Sequence, residues 1–422
     1  MDCGQIPQID YGKFSAALHA RAVSETATLP INGTLEITAR CNLRCAHCYL
    51  PMAHRQGERG GGTTATTEGL AQEIPSLAEA ASGRLPLCSA EACRLLDEVA
   101  DEGCLWLLIT GGEPLIRPDF LEIYDYAKRK GFLITLFTNA TLVTERIADY
   151  LAEYPPFSVE VSLYGATATT YETVTGVTSS YERCLRGIDL LVSRHIPLRL
   201  KTMVLRANVH ELGLMEEFAS RRGLSFRWDH QVHPQLDGCL DPVRVRLTPE
   251  EMVAVDLAFP RRVEGWRDLI ERTRDLRIEG RVFNCGAGFG SFHIDAFGYL
   301  QPCGFVRRYS YDLRQGSFHD GYHRFFPDVR SLRLETTTLC ASCSPVNVCG
   351  ICPAWQDMEG NGRKGPIEHI HRYARLLAAA VCPEANRVGA GLRREEVVAK
   401  GSGQYDEGDL PVLPISARTC TP

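Results

Sequence analysis

The sequence predicts an α/β fold, a partial (β/α)6 TIM-like barrel followed by a small cysteine-rich domain. Three observations predict it. Short apolar runs alternate with longer amphipathic ones from Leu35 to about Asp241, the pattern of parallel strands joined by helices. Counting those runs gives six strands, so one side of the barrel is expected to stay open. The 17 cysteines cluster at Cys41 to Cys48 and at Cys340 to Cys352, which in a chain without a signal-like N-terminus points to metal rather than disulfides.

The elements follow in order. The first strand, Leu35 to Thr38, stops just before the first cysteine run. His54 to Gly83 is rich in Gly, Thr, Ala and Ser and is expected as a long surface loop or a lid. Leu105 to Thr110 is apolar throughout, as a strand covered on both faces should be. In Pro118 to Lys130 a proline suits the first helical turn, Leu121, Tyr124 and Ala127 share a face, and Gly131 ends the helix. Strands are then expected at Phe132 to Phe137, Val159 to Leu163, Leu198 to Val204 and Ser225 to Asp229. Helices are expected at Val143 to Glu153, Tyr181 to Ser193 and His210 to Arg222. The resulting organisation is an N-terminal extension (1–33), the barrel (34–245), bridging helices (246–280), the cysteine-rich domain (281–385) and a Gly- and Pro-rich tail (386–422).

Composition excludes several classes of function. The net charge of −6, from 46 basic and 52 acidic side chains, leaves no basic excess to attract nucleic acid. No stretch approaches the length needed to cross a bilayer, so a cytoplasmic protein with no membrane partner is expected.

The chemistry-bearing motif is Cys41-Asn-Leu-Arg-Cys45-Ala-His-Cys48-Tyr49. It offers three thiolates, which leaves one iron of a four-iron cluster open to a small molecule. A structural zinc ion is the alternative, but zinc prefers a closed tetrahedral set and His47 is the only nearby fourth ligand. A Gly111-Gly112-Glu113-Pro114 turn follows the second strand, and such a turn has no purpose in a zinc site. In barrels of this kind chemistry sits at the C-terminal strand ends. Cys41 follows the first strand, Gly111 the second and Asn139 the third, while Ser162 ends the fourth.

These motifs resemble the radical S-adenosylmethionine (radical SAM) superfamily, and the later cysteines resemble its members with a SPASM domain carrying auxiliary iron-sulfur clusters. The resemblance implies that Cys41, Cys45 and Cys48 hold a 4Fe-4S cluster whose open iron binds S-adenosyl-L-methionine. Reductive cleavage then gives methionine and a 5'-deoxyadenosyl radical that abstracts hydrogen. It further implies that Gly111, Gly112 and Glu113 meet the methionine ammonium. Tyr49 and His47 would border the adenine, with Asn139 and Ser162 near the ribose and carboxylate. Relatives often carry an arginine where this chain has Thr173, so Arg183 or Lys201 compensates or the contact is absent.

By the same resemblance, Cys285, Cys303 and Cys352 hold one auxiliary cluster and Cys340, Cys343 and Cys349 the other. Cys382 or His371 is the seventh ligand, thiolate being the more usual. Asp229, Asp237 and Asp295 are candidate substrate-site acids. The remaining cysteines, Cys239 among them, read as small buried hydrophobes or idle thiols. The expected activity is maturation of a ribosomally made peptide, with a peptide or protein substrate, a separate leader-peptide-binding carrier protein and a flavodoxin or ferredoxin-type electron donor. Modification of a small cofactor such as a tetrapyrrole or metal-pterin system is the second reading. A zinc-binding or electron-transfer protein without catalysis is the third.

Overall fold

The computed structural model describes residue 18 and residues 28–51, 84–272, 281–333 (except 284 and 286), 346–349, 352–360 and 366–382. The expected loop at 54–83, the tail, and the ligand candidates Cys340 and Cys343 lie outside the described residues.

Six parallel strands stand where the alternation places them. They are β1 (Asn32–Thr38), β2 (Trp106–Gly111), β3 (Leu133–Thr138), β4 (Ser158–Ser162), β5 (Leu198–Met203) and β6 (Ser225–Asp229). Each pairs with its neighbour in sequence order, as in a β/α barrel left open. Leu35, Ile37, Leu107, Ile109, Ile134, Leu136, Val159, Val161 and Leu200 are buried in one continuous core.

The covering helices form for identifiable reasons. α1 (Ser89–Asp101) opens on a capping box in which the Glu91 carboxylate accepts from the Cys88 N–H at 2.9 Å, and it buries Ala92, Leu95, Leu96 and Val99 on one stripe. α2 (Phe120–Arg129) buries Phe120, Ile123, Tyr124 and Ala127. α3 (Glu145–Glu153) is capped by the Thr144 hydroxyl. α4 (Ala168–Thr175) ends at Gly176, φ 68°. α5 (Ser180–Ser193) and α6 (Leu212–Arg221) complete the ring. The sequence reading contains neither α1 nor α4.

The bridging segment is two helices, α7 (Pro249–Ala258) and α8 (Pro260–Arg272). α7 docks on the C-terminal helix Glu368–Val381 through Asp256, which is buried and accepts from the Tyr373 hydroxyl at 2.6 Å, lies 3.0 Å from His230 Nε2 and pairs with Arg262 at 2.8 Å.

One feature departs from a barrel with a separate appendage. β7 (Ser291–Ile294) pairs parallel with β1 on the side away from β2, and β8 (Tyr299–Gln301) and β9 (Tyr311–Asp312) continue antiparallel. The result is one nine-stranded sheet, β6-β5-β4-β3-β2-β1-β7-β8-β9, which runs across the boundary expected at residue 281. Cys285 and Cys303 therefore flank strands of the same sheet whose β1 leads into Cys41. Among the described residues no helix is long and apolar enough to cross a membrane.

Candidate active site at the strand ends

The loop after β1 is fastened by backbone contacts on every side. Gly112 N–H donates to the Thr38 carbonyl and Glu113 N–H to the Arg40 carbonyl, both at 2.8 Å. Arg44 and Ala46 N–H groups donate to Thr175 and Val174 at the end of α4, and Leu236 N–H donates to the Tyr49 carbonyl. Asn42 Nδ2 donates to Thr141 Oγ1 at 2.7 Å. A loop so held presents its three thiols with little freedom left to lose when a ligand binds.

The glycines are explained by contact. A Cβ on Gly111, whose φ is 148°, would sit 2.1 Å from the Thr38 carbonyl oxygen, and one on Gly112 would sit 2.2 Å from that of Arg40. Glu113 is wholly buried. Its Oε1 accepts from Leu115 N–H at 3.1 Å and Thr138 Oγ1 at 2.7 Å, and its Oε2 accepts from Asn139 N–H at 2.7 Å. The carboxylate thus holds the turn against the end of β3, and burial pushes its pKa up to about 7. Asn139 is also a bracket. Its amide nitrogen donates to Asn42 Oδ1 at 2.9 Å and reaches Cys41 Sγ at 3.8 Å, and its Oδ1 accepts from Thr141 Oγ1 at 2.6 Å. Ser162 is the last residue of β4, two residues before Tyr164, whose ring meets His47.

The three thiols lie close together, and neighbouring sulfurs make Cys41 and Cys45 harder to ionise. Burial pushes Cys41 up to about 12, helped by Glu113, and holds Cys45 and Cys48 above the ordinary thiol range. Thiols in that state become thiolates only when a cation takes the proton's place. A single zinc ion does not fit the arrangement. Zinc–sulfur bonds of about 2.3 Å put tetrahedral sulfurs about 3.8 Å apart. Among the described residues, the one group of three potential ligands with all atoms within 4.8 Å is Glu102, His319 and His323, and it contains no cysteine. The thiols are neighbours, but too widely spread for one ion. A polynuclear cluster suits them. Beside them His47 keeps a buried Nδ1 without a partner, its ring edge-on to Tyr164 at 4.7 Å, and burial lowers its pKa to about 4. A neutral imidazole with a spare polar atom next to three thiols fits a polar small molecule at that place.

A second thiol group faces the first. Cys285 and Cys303 lie close enough to Cys352 to act on its ionisation, and burial raises Cys303 and carries Cys352 to about 11. The structure thus brings together the trio assigned to one auxiliary cluster. Cys349 ends the short helix Val346–Cys349 and Cys382 caps Glu368–Val381, both half-buried. Between the two thiol groups runs an aromatic wall. Tyr49 contacts Phe305 at 5.0 Å, and His233 stacks on Phe305 at 4.4 Å and meets Trp355 at a tilt at 4.1 Å, with its Nδ1 unpartnered.

Of the charged groups on the inner face of the sheet, sequence reasoning named Lys201 and missed Glu36 and Glu160. Glu36 on β1 lies 3.4 Å from His293 on β7 and 3.7 Å from Arg307. Burial pushes Glu36 up, but His293 and Arg307 outweigh it and hold the carboxyl low. Glu160 on β4 pairs with Arg227 at 2.5 Å and Lys201 at 3.5 Å, and burial brings Lys201 down to about 7. The signal was present: a single charged residue inside otherwise apolar strands, as in Leu35-Glu36-Ile37 and Val159-Glu160-Val161.

Three expected substrate acids are otherwise engaged. Asp295 is buried and accepts from Phe297 N–H, Tyr299 N–H and Arg307, organising the β7–β8 turn. Asp229 and Asp237 accept from backbone N–H groups two residues on, as loop caps do. Cys239, read as an idle thiol, is disulfide-bonded.

A parallel sheet with a three-thiol loop after its first strand, a glycine turn after its second and a further thiol group beside them is laid out for iron-sulfur chemistry. Residues 35–218 match the model of the Radical SAM superfamily, and that segment is a radical SAM domain, using a 4Fe-4S cluster and S-adenosyl-L-methionine. The chain is 25% identical over 352 residues to an AdoMet-dependent heme synthase of Methanosarcina barkeri, covering 76% of this chain and 90% of that protein. It is 27% identical to the antilisterial bacteriocin subtilosin biosynthesis protein AlbA of Bacillus subtilis, covering 77% and 67%. It is 25% identical to the mycofactocin maturase MftC of Mycolicibacterium smegmatis, covering 90% and 89%. In fold it is similar to SuiB of Streptococcus suis bound to S-adenosylmethionine, with a TM-score of 0.56 and 15% identity over 84% of this chain and 79% of that one. It is also similar to anSMEcpe with bound AdoMet, with a TM-score of 0.57 and 14% identity over 85% and 100%.

Proposed function

We propose that this enzyme is a peptide maturase: it modifies a side chain of a peptide or protein by hydrogen abstraction. The observation that carries the reading is the second thiol group, Cys285, Cys303 and Cys352, facing the first across Tyr49, Phe305, His233 and Trp355. The likeness to AlbA and MftC supports it.

On this reading Cys41, Cys45 and Cys48 hold the catalytic cluster. That cluster and S-adenosyl-L-methionine together supply a carbon radical strong enough to take hydrogen from an unactivated bond. The rest is done by the chain. Gly111 and Gly112 let the turn lie against the cluster loop, and Glu113 and Asn139 fix both to β3. Tyr49 and His47 wall the site and keep water from it. Cys285, Cys303 and Cys352, with Cys340, Cys343, Cys349 and Cys382, hold the auxiliary centres of a SPASM domain. Neutral His233, lowered to about 4 by burial, keeps an unpartnered ring nitrogen between the Phe305 and Trp355 rings, a polar point in an otherwise apolar wall. A separate leader-binding protein and a flavodoxin or ferredoxin-type donor complete the system.

A second reading, modification of a tetrapyrrole, is favoured by the likeness to the heme synthase, which extends over 90% of that protein. One experiment separates them. The enzyme is co-expressed with the short peptide encoded nearest to it, and the peptide is weighed by mass spectrometry beside a Cys41→Ala control. A mass change lost in the control is the expected result. An unchanged peptide, together with turnover of a porphyrin precursor by the purified enzyme, would transfer the assignment to the second reading.

A further inference from the structure

At the opposite end of the strands from the thiols lies a second constellation of ligand type. Glu102 follows α1 immediately, at the end of the barrel where β2 begins, whereas Cys41 and Gly111 lie where strands finish. His319 and His323 sit four apart on a helix that starts as Phe318–Asp320, widens to a π-turn at Gly321–Phe325 and continues as Phe326–Ser331. In an α-helix residues four apart are offset by a fraction of a turn. The π-turn contains His323, and such turns are frequent at functional positions. The two rings stand 4.8 Å apart.

Both imidazoles converge on one carboxylate. His319 Nδ1 is 2.6 Å from Glu102 Oε1 and His323 Nε2 is 2.8 Å from Glu102 Oε2. One ligand atom from each residue lies within 4.8 Å of the other two, the only such trio among the described residues. Among those residues Glu102 has no lysine or arginine partner, although the acids of the same face of α1 do have cationic or N–H partners. Glu91 pairs with Arg314 at 2.6 Å, and Glu98 accepts the Phe318 N–H at 2.7 Å. The position at the end of this row is therefore left with two neutral-capable nitrogens and a carboxylate. The side chains of Glu102 and His323 are 24% and 31% exposed and that of His319 57%, so an ion has access from solvent and room for a water.

We propose that Glu102, His319 and His323 form a divalent metal site, of two imidazoles and one carboxylate, that clasps the first barrel helix to the segment after β9. Two histidines four apart on one helical face with a carboxylate is a donor set suited to zinc, with one coordination position open to water. The ion would hold α1 to the helix carrying His319 at a point of their seam where, among the described residues, no cationic side chain does so. It is independent of the iron-sulfur chemistry, because it shares no ligand with either thiol group.

The test uses the reconstituted holoenzyme and zinc itself. Equilibrium dialysis against micromolar zinc, read by elemental analysis with the cluster absorbance monitored, should give one zinc per chain more in the wild type than in His319→Gln/His323→Gln. Each single substitution, and Glu102→Gln, should weaken binding tenfold or more, because removing a direct ligand costs at least as much as removing a group that only supports one. Reductive cleavage of S-adenosylmethionine should be unchanged in all of them. If the double variant does not fold by circular dichroism, the Glu102→Gln comparison decides. Equal zinc in wild type and variants would overturn the site, leaving two ordinary histidine–glutamate hydrogen bonds.

Discussion

Gly112→Ala offers a direct test of how the turn and the cluster loop fit together. The added Cβ would lie 2.2 Å from the Arg40 carbonyl oxygen, where contacts below 3.0 Å do not occur, so the turn must retreat by about 0.8 Å or more. That retreat lengthens both 2.8 Å hydrogen bonds, Gly112 N–H to Thr38 and Glu113 N–H to Arg40. Overpacking costs about 1–3 kcal/mol and each weakened bond about 1 kcal/mol. The kinetic effect is larger in proportion, since a displacement near 1 Å at a reacting centre lowers the rate about 100-fold. The assay is formation of 5'-deoxyadenosine under dithionite by the anaerobically reconstituted enzyme, normalised to iron per chain. Gly213→Ala is the control. It lies in α6 with no atom within 4 Å of the added methyl, and it should be neutral or stabilise by about 0.5–1 kcal/mol. Cleavage by Gly112→Ala at the wild-type rate, with normal iron, would refute the argument that this contact sets the geometry.

Two further outcomes follow from the buried charges. Glu113 has a folded pKa near 7 against 4.5 in the free side chain, so the folded state binds the extra proton; the resulting stability is full below pH 4.5 and disappears as pH rises through 7, a change of roughly 3 kcal/mol. Denaturant titrations of the cluster-free protein between pH 5 and 8 should show that slope, and Glu113→Gln should flatten it; identical slopes would contradict the assignment. Arg307→Met leaves Asp295 and Glu36 buried without their shared cation, 2.9 and 3.7 Å away, and should destabilise by about 3–5 kcal/mol, read as a lowered unfolding midpoint. A midpoint within a degree of the wild type would show that water already reaches the pair.

What the sequence disclosed was local. The spacing of Cys41, Cys45 and Cys48 and the following glycine turn are motifs of a few residues, and Ser225–Asp229 is a strand at the residues where the alternation put it. What it hid was distant. β7 is four residues long, contains His293, and becomes a strand through pairing with β1 more than 250 positions earlier. No window along the chain contains that partner. Glu36 and Glu160 were passed over because a run of apolar residues reads as a strand whatever its one charged member does, although that member faces inward. Asp295 misled for the converse reason: its place beside the first auxiliary ligands suggested a substrate-site acid, and its partners Phe297, Tyr299 and Arg307 are supplied by the hairpin it organises.

The pairing of β7 with β1 also determines what can be cut away. Ending the chain before residue 281 would strip β1 of one neighbour and leave its backbone donors and acceptors from Asn32 to Leu35 as an open rim ready to recruit a strand from another molecule. The barrel half is thus not a detachable catalytic unit. Attempts to prepare it alone should yield aggregates, and the placing of Cys285 and Cys303 relative to Cys41 follows the pairing of β7 with β1, not a hinge.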